Sequence, residues 1–514
     1  MVKADYDKAF EVFVAIRRLS EKSSKIFSMN TFAQVVQIPI VLGFTLFALL
    51  VHIPTCADAS DDLPVLGDAS SSLISPEMER EIGRDFLKQI NASLPTISDP
   101  ILKYYVHNQL SELAQHSRLK DNLQSVVLID SDQINAFAAP GGVVGINLGL
   151  MLHAQDIHEY SSVMAHEIAH LSQRHFARGV EESRSKTLPT IASLIAAIAI
   201  GVLGGGDAGM AALSASQAAG QASYLRYSRG RETEADRIGI NTLVRAGMDP
   251  DGMARMFERM QQSYRFTRTP PEFMLTHPLS ETRIADAKSQ ARTFAKQSYP
   301  LSTEYDLMRS RAQVYYADSP TAAVKQFTKA VKDNPDSEAT RYGLALANSR
   351  AGNHLAAIAE GDALFTRNPH KIHLICTYAE LLIAGEKYTQ ANRLLTQHLS
   401  INPDNAPLAA LYADSLIKDK QYLQAEEVLE RQSMVNANDV DVWYTLAEVS
   451  GKAGNIIGVH KARAEYFALH GAYQRAISHL EYARRLISRQ DSQSHAKLNQ
   501  RIDDLRTALR VARS

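Results

Sequence analysis

The 514-residue sequence predicts two unlike halves: an α+β domain built round a metal-binding helix, and an all-α solenoid of short repeats. Three observations carry that expectation. His166-Glu167-Ile168-Ala169-His170 lies in a stretch, 161–174, whose apolar spacing and freedom from Pro and Gly read as helix, so both histidines share one face. Further on, the polar run 229–239 holds Glu232 and Asp236 four apart on one helical face, with Glu234 turned roughly opposite. Finally, Asn334, Asn368, Asn402 and Asn436 recur every 34 residues, and Ala345, Ala379, Ala413 and Ala447 keep the same period.

Composition sets the outer bounds. With 45% hydrophobic and 22% charged residues the chain reads as globular, and its length calls for at least two domains. Lys and Arg number 55 against 56 Asp and Glu, a net charge of −1, so bulk electrostatics give no reason to expect a nucleic-acid partner.

Residues 1–59 are expected to be a leader with a signal peptide. The apolar run 35–53 precedes Thr55-Cys56-Ala57-Asp58-Ala59, in which Ala57 and Ala59 form a small-x-small cleavage pattern; an uncut membrane anchor is the rival reading. Cleavage after Ala59 would leave Cys376 alone, so packing and metal rather than an internal disulfide would stabilise the mature chain. A small-polar linker over 60–74 leads to a catalytic domain over 75–300.

That domain should open at Ser75-Pro76-Glu77, which reads as N-cap, N1 proline and first-turn acid, with Met78, Ile82 and Phe86 as the buried stripe. A second helix is expected near 101–115. Runs at 125–130, 134–137 and 143–147, the last two flanking Pro140-Gly141-Gly142, predict strands with a hairpin just before the histidine helix. Such a strand could pair with an extended peptide through its main chain; a purely structural hairpin is the alternative.

Two imidazoles at i and i+4 can share one tetrahedral Zn²⁺, and the Glu beside the first can reach the metal's water as a general base. His166 and His170 are therefore expected ligands and Glu167 the expected base. Zinc needs a third protein ligand, and the face carrying Glu232 and Asp236 can supply it.

Between these helices, the apolar segment 188–203 begins at Leu188 and ends at Leu203. It is short for a membrane-spanning helix. A buried helical hairpin, peripheral contact with a membrane surface and a true span all stay open. His277-Pro278, with Arg283, closes the domain; a His before Pro is ordinarily a loop residue.

From 301 to 514 a solenoid is expected. Ala357, Ala391 and Ala425 share the 34-residue period, and Pro335, Pro369 and Pro403 mark the turns, which is the tetratricopeptide signature. Register fades after Val459, where helices near 455–470, 472–487 and 494–510 should cap the stack. The solenoid is expected to present a concave surface to a protein or peptide and to fold independently of the catalytic half.

Over 75–291 the chain resembles the zinc endopeptidases that pair HExxH with a later ExxxD helix, a group that includes CAAX prenyl proteases and quality-control proteases of bacteria and mitochondria. With its repeat half it is similar to the periplasmic β-barrel assembly-enhancing proteases of Gram-negative bacteria. The resemblance implies an α+β zinc metallopeptidase domain followed by a tetratricopeptide-repeat solenoid, with one Zn²⁺ per chain. It implies Glu232 as the third ligand, Asp236 as a supporting or proton-donating acid, and His277 as a regulatory fourth ligand. It also implies a zinc-dependent endopeptidase with a chaperone-like role, acting on outer-membrane β-barrel precursors, their assembly machinery and unfolded polypeptides. Two rivals are a latent-peptidase scaffold that mainly binds assembly machinery and a membrane-embedded prenyl-type protease. The second is disfavoured because the chain lacks several apolar segments of about 20 residues.

Overall fold

Ser75 opens the first helix as its sequence predicts. Its hydroxyl accepts from the Met78 N–H and Pro76 fills the first turn of α1 (Pro76–Ser93), which buries Ile82, Phe86 and Ile90. Asp99 caps α2 (Pro100–Gln115) in the same way, accepting from the Ile101 and Leu102 N–H groups. The protein is seen here as a computed structural model that describes residues 74–182, 229–267 and 271–512. The expected leader, nearly all of the linker and the apolar segment 188–203 lie outside the described residues.

Strands β1 (Ser125–Ile129), β2 (Ala136–Ala139) and β3 (Val143–Asn147) form one sheet in the order β1-β3-β2, with β3 parallel to β1 and antiparallel to β2. The β2–β3 turn depends on glycine, because Gly141 and Gly142 take φ of +75° and +81°. The first arm of this hairpin sits two residues later than 134–137. The Ile134 carbonyl instead accepts from the Phe273 N–H, outside the ladder.

After α3 (Leu148–His153), Asp156 caps α4 (Ile157–Ser172), which is buried from Ile157 to His170. Arg174 then takes the left-handed conformation, φ 48°, and the chain re-enters helix at once as α5 (His175–Glu182). Helices α6 (Arg229–Arg245), α7 (Gly252–Thr267), α8 (Glu272–Thr276) and α9 (Glu281–Ala291) complete this half. None of the described helices is long and apolar enough to cross a membrane.

The rest of the chain is helical pairs. These are α10 (Thr303–Tyr315) with α11 (Pro320–Asp333), α12 (Glu338–Arg350) with α13 (His354–Arg367), and α14 (Ile372–Ala384) with α15 (Tyr388–Leu399). Then come α16 (Ala406–Lys418) with α17 (Tyr422–Val435), α18 (Val440–Lys452) with α19 (Ile456–Leu469), and α20 (Tyr473–Leu486) with α21 (Ser492–Val511). The periodic alanines are buried where helices cross. The turns repeat as well: Gly352, Glu386, Lys420 and Gly454, each 34 residues from the next, all have positive φ.

The two halves, expected to fold independently, are packed against each other. Ala69–Ser514 is a single unit, and one hydrophobic core runs from Val106 and Met164 to Leu374 and Leu408. The Tyr305 hydroxyl donates to the Ala154 carbonyl at 3.0 Å, and the buried Arg311 bridges Asp99 (2.5 Å) and Glu380 (2.6 Å). Lys103 reaches Asp439 at 2.8 Å and Asp441 at 3.0 Å, while Lys88 donates to the Tyr473 hydroxyl at 2.7 Å. The solenoid thus closes round α1 and α2. Helices that a repeat pattern relates only to their neighbours also pack on the domain that precedes them.

Candidate metal centre

Helix α6 approaches α4 closely because Gly239 carries no side chain; a Cβ there would stand 3.2 Å from the His166 N and 3.3 Å from the Ala165 carbonyl carbon. That approach brings the acidic face of α6 onto the two histidines. The Nε2 atoms of His166 and His170 are 2.9 Å apart, and the Glu232 carboxylate lies 3.5 Å from the first and 3.6 Å from the second. His277, at the end of α8, brings its Nδ1 to 3.3 Å from His166 Nε2 and 3.1 Å from Glu232. One ligand atom from each of His166, His170, Glu232 and His277 fits within 4.8 Å of all the others.

Ligand atoms about 2.0–2.2 Å from a tetrahedral zinc stand roughly 3.3–3.6 Å from one another, and three imidazole nitrogens with one carboxylate oxygen are donors zinc accepts. The cluster's donors suit that ion, and its separations of 2.9–3.6 Å, all within 4.8 Å, bracket that spacing. All four side chains are buried, as is Glu167, whose carboxylate lies 3.4 Å from His277 Nε2. Burial raises the Glu167 pKa above the usual carboxylate range, which favours a group that must accept a proton.

The groups behind the cluster differ from ligand to ligand. His166 Nδ1 is 2.9 Å from Asp236, which Arg283 grips with two bonds of 2.7 Å. The same guanidinium meets Glu232 at 2.8 Å and donates to the Pro278 carbonyl at 2.9 Å. Burial works against charge on His166, yet Asp236 and Glu232 outweigh it and raise its pKa to about 9. Burial also opposes charge on Asp236, but Arg283 and His166 hold its pKa down.

His170 stands elsewhere. Burial and then the charge of His166 push its pKa well below normal, and its Nδ1 lies 2.7 Å from Nδ1 of His175. His175 Nε2 in turn faces Glu234 at 3.2 Å, and Arg178 meets that carboxylate at 3.1 Å. Burial lowers the His175 pKa, which keeps the ring neutral. The Phe273 ring stacks on His277 with centroids 4.6 Å apart and fixes its plane.

The structure gathers His166, Glu167, His170, Glu232, Asp236 and His277 in one place. Glu234 does point away from the ligand cluster, as its position on α6 predicts, and it serves His175 instead. His175, Phe273 and the grip of Arg283 on Glu232 and Asp236 escape a reading of spacing alone. Only the Arg174 turn gives His175 its place, since five residues along an unbroken helix would carry it about 140° round from His170.

Comparison with known proteins agrees with this geometry. Residues 100–291 match peptidase family M48 and residues 382–449 match a tetratricopeptide repeat. A Vibrio cholerae protein is 32% identical over 86% of this chain and 92% of its own. The beta-barrel assembly-enhancing protease of Escherichia coli is 31% identical over 88% of this chain and 93% of its own. The mitochondrial metalloendopeptidase OMA1 of Schizosaccharomyces pombe is 27% identical over 41% of this chain and 60% of its own.

Proposed function

Since the chain belongs to the beta-barrel assembly-enhancing proteases, M48-type zinc metalloendopeptidases that carry tetratricopeptide repeats, we propose a role for each residue of its metal centre. His166, His170 and Glu232 hold zinc, and the convergence of their ligand atoms within 4.8 Å is the observation that carries this reading. When bound, zinc acidifies a water toward neutrality and polarises the scissile carbonyl. Glu167 accepts the proton of the attacking water and returns it to the leaving amine, a task its raised pKa suits. Asp236 holds the His166 ring through Nδ1, and Arg283 holds Asp236.

Substrate polypeptide lies along β2. This strand pairs only with β3 among the described residues, whereas the outer edge of β1 carries a bridge to Thr96. Main-chain pairing there presents an extended chain to α4 without demanding a particular sequence. His277 is the regulatory ligand: Nδ1 takes the fourth position and Nε2 faces Glu167, so one ring occupies both the site of water and the base. The protein works in the periplasm of a Gram-negative bacterium, degrades misassembled outer-membrane β-barrel precursors and helps productive ones. The leader pattern and the relatives' names support this placement. Its partners include the assembly machinery, engaged through the solenoid.

The test is a pair of substitutions read on an unfolded polypeptide substrate with zinc content measured alongside. Glu167→Gln keeps zinc and loses about 10²–10⁴-fold in cleavage rate. His277→Ala keeps zinc and raises basal and self-cleavage, and adding Glu167→Gln to it abolishes the gain. Wild-type cleavage by the Gln variant removes Glu167 as base, and unchanged basal cleavage in His277→Ala removes the latch.

A further inference from the structure

His175 lies outside the ligand cluster, yet it is fully buried and faces a ligand on one side and a carboxylate on the other. We propose that His175 and Glu234 are positioning residues that set which nitrogen of His170 carries the proton and so aim its Nε2 at the metal. The inference rests on the zinc reading of the cluster, and it follows from the order of the contacts.

His170 offers Nε2 to the cluster, 2.9 Å from His166 Nε2. A neutral imidazole that gives the lone pair of Nε2 to a metal keeps its hydrogen on Nδ1. That N–H points at His175 Nδ1, 2.7 Å away, which must then accept. His175 therefore carries its own hydrogen on Nε2 and donates to Glu234 at 3.2 Å. A carboxylate can only accept, so the direction of both bonds is fixed from the outer end. Arg178 pairs with Glu234 at 3.1 Å and holds it in place. If either ring took the other tautomer, two hydrogens or two lone pairs would meet in a buried contact.

The two ligand histidines of α4 are thus addressed by different devices. Asp236 touches His166 directly, while His170 is reached through an intervening ring. The backbone makes the second arrangement possible. Arg174, at φ 48°, donates to the Ile74 carbonyl at 2.6 Å and pairs with Glu79 at 2.9 Å, which fastens the turn to α1. Arg231 of α6 donates to the His175 carbonyl at 3.2 Å and fixes the start of α5 from the other side.

The test separates an acceptor from a mere space-filler. His175→Phe keeps a ring of similar size and has no acceptor, whereas His175→Asn is smaller but places a carbonyl oxygen near the lost Nδ1. Zn²⁺ affinity of the full chain is measured by competition with a chromophoric chelator, with thermal melting as the control for folding. We expect His175→Phe to weaken Zn²⁺ binding about 10–100-fold and His175→Asn to restore most of the loss. Glu234→Ala, at a side chain that is 34% exposed, should weaken binding in the same direction, and it keeps the test alive if the Phe variant does not fold. Wild-type affinity in both His175→Phe and Glu234→Ala overturns the proposal, as does an Asn variant weaker than the Phe variant. His170→Ala serves as the reference: if it too binds Zn²⁺ like the wild type, the reading of the cluster itself fails, and the two failures are distinct.

Discussion

The metal centre and the solenoid are both made of packed helices, but they place their critical residues in opposite ways. At the metal centre, groups from α4, α5, α6, α8 and α9 converge on one buried point, and Arg283 alone touches Glu232, Asp236 and the Pro278 carbonyl. In the solenoid the same small residue recurs at Ala345, Ala379, Ala413 and Ala447, and each copy serves one helix crossing. A single change therefore reaches several groups of the site at once in the first region and is confined to one repeat in the second. The contrast fails where the two meet: α10 belongs to the solenoid by sequence and to the catalytic core by packing, through Tyr305 and Arg311.

The largest effect expected comes from cutting at that meeting point. A chain ending at residue 302 loses the cover over Tyr160, whose ring lies 5.3 Å from that of Tyr305, and it strips Asp99 and Lys103 of their ion pairs. It should lose cooperative thermal unfolding. A truncated chain that melts as sharply as the intact one, with wild-type zinc affinity, would restore the independence that the repeat pattern suggests.

A smaller effect, confined to the metal centre, appears with pH. In the chelator-treated protein His166 has a pKa of about 9, so at pH 7 zinc must displace its proton. Zinc affinity should then climb roughly tenfold per pH unit from 7 towards 9, with about one proton released. The metal-free protein should move the other way. A raised folded-state pKa gives stability that is complete below the unfolded value near 6.5 and is lost as pH rises through 9. Calorimetry in buffers of different ionisation enthalpy, with melting curves of both forms, checks the opposing slopes; parallel slopes would contradict them.

The smallest effect belongs to one repeat. Lys420 has φ 61° at a turn where the equivalent Gly352 and Gly454 bear the same left-handed backbone without strain. Lys420→Gly should stabilise the protein by up to about 1 kcal/mol, part of the strain relief being offset by the freer unfolded chain. Zinc affinity should not change. A shift in affinity would mean that the repeats and the metal centre are coupled more widely than through α10.

Much of the site was legible because helix geometry converts spacing into direction. His166 and His170 four apart, and Glu232 and Asp236 four apart, each define a face without any tertiary knowledge. The solenoid was legible for a similar reason, since a period of 34 records contacts between neighbours, and the capping helices expected near 455–470, 472–487 and 494–510 fall at α19, α20 and α21. His175 was hidden because its role depends on one left-handed residue, Arg174, and arginine carries no marker for that conformation. The shared core was hidden too. Leu307 and Met308 read equally well as packing against the next repeat or against α3, and only the fold decides between them.

The closure of the last repeats onto α1 has a consequence in time. Lys88 and Tyr473, joined by a 2.7 Å bond, are 385 residues apart along the chain, and Asn91 meets the Leu469 carbonyl across 378. At synthesis rates of about 5–20 residues per second, a chain whose histidine helix has just been made waits roughly 15–60 seconds for the segment that packs on α1. Contacts of such range form late, because the loop between them must close first. The contacts of α1 with the last repeats therefore form only after residue 473 has been made, whereas Asp236, Arg283, His175 and Glu234, which hold the ligands, have by then long been in the chain.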